Sequence, residues 1–155
     1  MFKKLFRRRA VKKALGPFFS DEELRGLADA PVAPACRELL VDIALVAITA
    51  AGSAAYSERA GIVAETAHEY GGTTYKLIPI IVVAFESVSG GLSRFIADVQ
   101  SKVPNSSIVH GSIVASMGIF GSSHRFDYGI WWPGLLDALR QLLALAPGTV
   151  RELPR

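Results

Sequence analysis

The chain has 155 residues, half of them apolar and 20% charged, and its formal net charge is +3. This length and composition predict about one domain with a real hydrophobic core, which excludes an intrinsically disordered protein. Its single cysteine, Cys36, excludes an internal disulfide and a paired-cysteine zinc knuckle, and favours a reducing, cytoplasmic compartment.

The positive charge is concentrated at the N-terminus. Residues 1–13 hold seven of the 17 lysines and arginines and no acid, so the rest of the chain has ten bases against fourteen acids. A mildly acidic body argues against a nucleic-acid-binding protein. Because residues 1–15 also contain interleaved Phe and Leu, two interpretations stay open. This segment is either an amphipathic helix on an anionic, inner membrane surface or a solvated, frayed terminus.

Residues 16–36 are expected to lead into the main domain. Ser20 and Glu23 have the spacing of a capping box, which predicts the start of a short helix. Two later prolines make the linker after that helix extended. The main domain is then expected to span residues 37–155.

The apolar pattern of the main domain predicts the order β-α-β-β-α-β-β-α. The expected strands are 39–48, 73–78, 80–85, 108–117 and 125–131, and the expected helices are 57–70, 91–102 and 135–145. No strand is predicted after Gly148. This order predicts an α+β fold with a ferredoxin-like βαββαβ sandwich, in which helices pack on an antiparallel sheet.

Asp42 interrupts the most apolar stretch of the chain. Residues 39–55 are fewer than the roughly 20 apolar residues that a helix needs to cross a bilayer, so we interpret them as a buried strand and a loop. A carboxylate in an apolar strand is costly unless it is paired. Asp42 is therefore either a functional remnant or a strand residue that faces water.

Three groups of segments carry the most specific pattern. They are LGPFFS (15–20) with REL (37–39), GG (71–72) with KLIPI (76–80) and VAF (83–85), and GIFGS (118–122) with RFDYGIW (125–131) and ALR (138–140). In this order and spacing they resemble the catalytic domain of the class III adenylate and guanylate cyclases, over about residues 15–146. Trp132 departs from the family's glycine, and the family's last strands, with a lysine near the triphosphate, have no counterpart.

The resemblance implies a nucleotide cyclase type of fold and a specific chemistry. Members form a head-to-tail dimer that binds ATP or GTP at the interface, and two aspartates hold two Mg²⁺ or Mn²⁺ ions. The metal ions activate the 3′-hydroxyl for attack on the α-phosphate. An asparagine and an arginine of the last helix support the transition state, and a lysine and a second residue read the base.

Carried over residue by residue, the two metal positions fall on apolar side chains. The preferred alignment puts the first metal aspartate at Leu45 and the second at Ile80. An alternative alignment, which matches the dipeptide Asp42-Ile43, gives the first metal role to Asp42. Isoleucine and leucine offer no oxygen to Mg²⁺, and Asp42 alone would hold at most one weak, hydrated ion.

The nucleotide-binding positions are partly retained. The resemblance places the transition-state arginine at Arg140 and the base-reading lysine at Lys76, and both match. It places the asparagine at Leu136 and the second base-reading residue at Gly129, which has no side chain for a contact. From the residues alone, Lys76 could equally be a solvated strand-end lysine, and Arg140 could pair with Asp137.

We therefore expect a catalytically degenerate cyclase-like domain in cyclic-nucleotide signalling. It would act as a dimerising or regulatory module, as a homodimer or with an intact cyclase, and would need no cofactor. A first alternative is a weakly active adenylate cyclase that binds ATP with Mg²⁺ or Mn²⁺ and uses Asp42 as a ligand. A second alternative is a membrane-surface interaction domain that binds anionic lipid through residues 1–13.

Overall fold

The computed structural model describes residues 36–77, 79–86, 90–121 and 126–154. The basic segment 1–15 and the lead-in to the main domain lie outside these residues, so what is predicted for them stays a prediction. The elements, in chain order, are β1 (Cys36–Ala47), α1 (Ser53–Glu69), β2 (Gly72–Leu77), β3 (Ile80–Glu86), α2 (Gly91–Lys102), β4 (Ser107–Gly121), β5 (Phe126–Trp131), α3 (Leu135–Leu143) and β6 (Val150–Glu152).

The six described strands form one sheet in the order β2-β3-β1-β4-β5, and β6 pairs with β4 off this path. β3 pairs antiparallel with both β1 and β2, whereas β6 runs parallel to β4. The predicted α+β class, with a mostly antiparallel sheet and helices, is confirmed. The element order is also the predicted one, except that β6 is an additional strand that the sequence pattern does not indicate.

Helices α1 and α2 cover one face of this sheet. Their apolar residues share a core cluster with alternate residues of β1 and β3 and with the start of β4. The cluster consists of Ala44, Val46, Ile81, Val83, Phe85 and Ile108 from the strands and Val63, Ala67, Phe95, Val99 and Val103 from the helices and the turn after α2. Within it the rings of Phe85 and Phe95 lie 5.3 Å apart between centroids, in a tilted arrangement that aromatic pairs prefer.

The end of α1 and the start of α2 meet at a glycine. A Cβ added to Gly91 would clash with the carbonyl oxygen of Tyr70, so only glycine allows this approach. On the next turns, the Tyr70 hydroxyl donates to Asp98 and the Lys102 ammonium lies 3.3 Å from the same carboxylate. Sequence composition alone does not predict this junction.

Two boundaries differ from the predicted ones for local reasons. Helix α1 begins at Ser53 rather than at Ser57, because Gly52, with φ of 98°, turns the chain into the helix without a side-chain cap. β4 extends to Gly121, beyond the predicted end at Met117. Among the described residues, no helix is long and apolar enough to cross a membrane.

The chain divides into two compact units. One comprises Glu38–Ser116 with Ile130–Arg155 and holds the core cluster, the three helices of the described residues and most of the sheet. The other comprises Met1–Arg37 with Met117–Gly129, of which the structure describes only the start of β1 and the adjoining ends of β4 and β5.

Candidate functional site

Leu45 and Ile80, the two expected metal positions, lie on the same face of the sheet. In the antiparallel pair of β1 and β3, Ala47 lies opposite Ile80 and Leu45 lies opposite Val82. Opposite residues share a face, and so do residues two apart on one strand. Leu45 and Ile80 are therefore diagonal neighbours, about 7–8 Å apart by sheet geometry.

This arrangement would suit a pair of metal-binding carboxylates, but the side chains present do not fit a metal. Leu45 is fully buried and Ile80 is 7% exposed, so both belong to the apolar interior. Hard divalent cations require oxygen ligands, which neither side chain has. Among the described residues, no group of three or more His, Cys, Asp and Glu side chains is placed to hold a metal ion.

Asp42 lies away from this pair. It pairs with Phe85 of β3, so its side chain shares the sheet face that α1 and α2 partly cover. Ile80 projects from the opposite face, and Asp42 is five residues, or about 17 Å, along β1 from the residue opposite Ile80. Its carboxylate instead accepts a hydrogen bond from the hydroxyl of Ser112 in β4.

Two side chains of α1 form hydrogen bonds with the loops at the Ile80 end of the sheet. The Tyr56 hydroxyl donates a 3.0 Å hydrogen bond to the carbonyl of Pro79, between β2 and β3. The Arg59 guanidinium donates to the carbonyl of Thr49, between β1 and α1. Partial burial raises the pKa of Tyr56 above its usual value. Sequence reasoning missed both residues, since their only signal is a three-residue spacing on one helix.

Helix α3 presents two different faces. Ala138 and Leu142 are buried, whereas Leu136 and Leu143 are 66% and 68% exposed. Arg140 lies between the two exposed leucines, because residues four and three apart share a helix face. The exposed face of α3 (Leu136, Arg140 and Leu143) therefore combines two apolar side chains with one cation.

Arg140 forms an ion pair with Asp137, at 2.8 Å, as the sequence allows. Both side chains are more than two-thirds exposed, so the pair contributes about 0–1 kcal/mol and leaves the guanidinium available to other partners.

Lys76 lies in β2 opposite Ile81, the neighbour of Ile80. Gly129 lies in β5 and is half-buried. The ladder thus brings the backbones of Leu45, Ile80 and Lys76 to one end of the sheet.

Comparison with known proteins identifies the fold of this chain. No protein-family profile and no curated protein sequence matches the chain. Among solved structures, the chain is similar to a bacterial light-regulated adenylyl cyclase, with a TM-score of 0.64 and 15% identity over 92% of this chain and 50% of that chain. It is also similar to the adenylyl cyclase CyaB from P. aeruginosa, with a TM-score of 0.52 and 17% identity over 75% of this chain and 77% of that chain.

These likenesses, at low sequence identity, concern the fold. The chain has the fold of the class III nucleotide cyclases, as its motif resemblance implies. It spans about half the length of the light-regulated enzyme.

Proposed function

We propose that this chain is a non-catalytic, cyclase-like module that acts by associating with a second cyclase-type domain. The observation that carries the proposal is the pair Leu45 and Ile80, two apolar side chains at neighbouring positions of one sheet face. Phosphoryl chemistry of this class depends on metal ions to lower the pKa of the attacking hydroxyl and to neutralise developing charge. A site that cannot hold these ions has lost its principal source of rate acceleration.

The position of Asp42 supports this proposal over a weakly active adenylate cyclase. A metal ion needs its ligands within about 2 Å of one point. Asp42 and the residue at position 80 project from opposite faces of the sheet, so a carboxylate restored at one position would not complete a site at the other. The alternative alignment would require a second ligand from elsewhere in the chain.

The exposed face of α3 supports association. By the resemblance, Leu136 falls at the position of the family's transition-state asparagine, and its apolar side chain is exposed. Retained Arg140 beside it could reach a phosphate or a carboxylate of a partner domain. An intact partner would supply both metal aspartates, while this chain would supply Arg140 and a surface for docking.

The first experiment measures catalysis directly. The purified chain is incubated with ATP or GTP and Mn²⁺, and cyclic nucleotide is sought by mass spectrometry, with Arg140→Ala as the control. We expect no product from either protein. Cyclic product from the chain that disappears in Arg140→Ala would contradict the proposal and assign an active metal site to other residues.

The second experiment measures association. Native mass spectrometry is applied to the chain alone and after mixing with an intact class III cyclase domain. We expect a homodimer or a one-to-one heterodimer. Monomer alone under both conditions would refute the associative role even if the chain proves inactive.

A further inference from the structure

The first two turns of α1 lack the features that ordinarily stabilise the start of a helix. Gly52 precedes the helix with φ of 98° and provides no side-chain cap, and no acidic residue lies in the first turn. The first N–H groups of a helix have no partner within it, and a capping side chain or a nearby carboxylate usually compensates for this. The start of α1 therefore depends on contacts with other parts of the fold.

The core cluster does not supply these contacts. The buried residues of α1 all lie in its second half and are Val63, Thr66 and Ala67. Ala60 and Ile62 are partly buried and pack against the cluster, whereas none of the apolar residues among 53–59 belongs to it or packs against it. We call residues 53–59 the entry segment of α1.

Two hydrogen bonds join the entry segment to the loops at the Ile80 end of the sheet. The Tyr56 hydroxyl donates to the carbonyl of Pro79 in the β2–β3 turn, and the Arg59 guanidinium donates to the carbonyl of Thr49 in the β1–α1 loop. The described part of the chain offers the entry segment no other side-chain hydrogen bond and no ion pair. These two bonds are therefore the specific contacts that position the start of α1.

The two bonds depend on each other through the helix. Tyr56 and Arg59 are three residues apart, so they lie on one side of α1. The two loops leave the same end of the sheet, because Ala47 at the end of β1 pairs with Ile80 at the start of β3. Either bond keeps the entry segment close to both loops and so raises the effective concentration for the other bond. Displacement of the entry segment would break both bonds at once.

We propose that the entry segment and the two loops that it contacts open and close as one local unit, which the hydrogen bonds of Tyr56 and Arg59 hold closed. Local opening is expected where few apolar side chains are buried and where hydrogen bonds are exposed to solvent, and both of these bonds are exposed. Opening would change the surroundings of Ile80 without unfolding the core cluster. The inference requires neither metal binding nor association, so it is independent of the proposed function.

Hydrogen–deuterium exchange, followed by mass spectrometry of proteolytic fragments, measures this opening in a buffer that contains EDTA. The full-length chain is compared with Tyr56→Phe and with Arg59→Met, each of which removes one donor. Because the unit opens as a whole, each variant should speed exchange about two- to tenfold in the entry segment and in both loops. Tyr56→Phe thus acts on the β1–α1 loop, and Arg59→Met acts on the β2–β3 turn, although neither side chain contacts that loop.

Two further variants are the matched controls. Tyr70→Phe removes a hydroxyl from the other end of α1, and Arg94→Met removes an exposed guanidinium from α2. Both should leave exchange in the entry segment and in the two loops within about twofold of the unaltered chain. Arg59→Lys keeps a positively charged donor without the planar guanidinium, so it should restore part of the protection that Arg59→Met removes.

Three results would overturn the proposal. Unchanged exchange in both variants would show that the two bonds do not hold the unit closed. Faster exchange only in the loop that the substituted side chain contacts would show two independent bonds instead of one unit. Equally faster exchange in the buried strands β1 and β3 would show that the variants weaken the whole fold, without a separate local opening.

Discussion

The hydroxyl of Tyr70 donates a 2.9 Å hydrogen bond to the carboxylate of Asp98, which joins the end of α1 to the middle of α2. This bond is the largest cause of a lowered pKa at Asp98, and Lys102 adds to it. The same bond, followed by partial burial, raises the pKa of Tyr70. The contribution of this junction to the stability of the fold is therefore expected to decrease at both acidic and alkaline pH.

The variant Tyr70→Phe should lower the melting temperature most between about pH 5 and pH 9. Because the pKa of Asp98 is lower in the folded state, its contribution is full above the ordinary value of about 4 and is lost as the pH falls through the lowered value. The raised pKa of Tyr70 gives a contribution that is full below about pH 10 and is lost as the pH rises through the raised value. Thermal melts of both proteins from pH 2 to 11 measure the difference.

Tyr56→Phe is the matched control for this measurement. The Tyr56 hydroxyl donates to the carbonyl of Pro79, which does not titrate. Its effect on the melting temperature should therefore persist at acidic pH, whereas that of Tyr70→Phe should shrink. Parallel acid profiles for the two variants would contradict the role assigned to Asp98.

Gly91→Ala should destabilise the fold by about 1–3 kcal/mol, the typical cost of forcing extra atoms into a packed contact. The new Cβ would meet the backbone oxygen of Tyr70, which cannot rotate away. Gly61→Ala, on the exposed side of α1 with open space around it, should instead stabilise by about 0.5–1 kcal/mol. Urea unfolding gives both free energies, and equal effects of the two substitutions would argue against the close approach.

The variant Leu45→Asp with Ile80→Asp should acquire a melting temperature that depends on Mn²⁺. Two buried carboxylates side by side destabilise the fold, and a cation bound between them would relieve the repulsion. At a metal concentration 100-fold above the dissociation constant, binding stabilises by about 2.7 kcal/mol. Differential scanning fluorimetry with and without Mn²⁺ measures this shift.

Leu45→Asn with Ile80→Asn is the neutral counterpart and should show no response to Mn²⁺. If the double aspartate variant does not fold, the single change at Ile80, which lies at the end of the β1–β3 ladder, provides the test with a weaker expected shift. If the aspartate variant folds but its melting temperature does not change with Mn²⁺, positions 45 and 80 do not correspond to a metal site.

Leu136→Ser with Leu143→Ser should abolish the association proposed for the exposed face of α3. Both side chains are about two-thirds exposed, so the free energy of unfolding should change by no more than about 0.5 kcal/mol. Native mass spectrometry measures the dimer, and Leu40→Ser serves as the control at another exposed leucine. A dimer that survives both changes on α3 would place the interface elsewhere.

Deletion of residues 1–13 should release the chain from anionic vesicles if the basic segment is a membrane anchor. The deletion removes seven positive charges, each worth about 1 kcal/mol near an anionic surface. Co-sedimentation with vesicles that contain phosphatidylserine measures the bound fraction, and neutral vesicles are the control. Undiminished binding of the shortened chain would exclude this segment as the anchor.

Long, strongly patterned elements could be predicted from the sequence. The helix predicted for residues 91–102 has those bounds, since a glycine pair begins it and a proline follows it. β6 could not be predicted, because three residues carry no periodicity and its strand conformation depends on pairing with β4. The start of α1 was misplaced because Gly52, rather than a side chain, shapes its entry.

The sequence suggests a chemistry for the site but not its geometry. The ladder shows that Leu45 and Ile80 are diagonal neighbours on one sheet face. That they stand at metal positions stays a prediction, which rests on the resemblance. The sequence could not decide the surroundings of Asp42, because these depend on how β1 pairs with its neighbours, and the structure places its carboxylate beside Ser112 of β4.

The edge of β4 holds β5 along one part and β6 along another. The chain therefore leaves this edge after Trp131, passes through α3 and returns to the same strand at Val150. Both ends of the segment that contains α3 are therefore held by pairing with one strand, β4. Helix α3 could accordingly be exchanged for that of an active cyclase, or diverge in evolution, without a change in the strand order of the sheet.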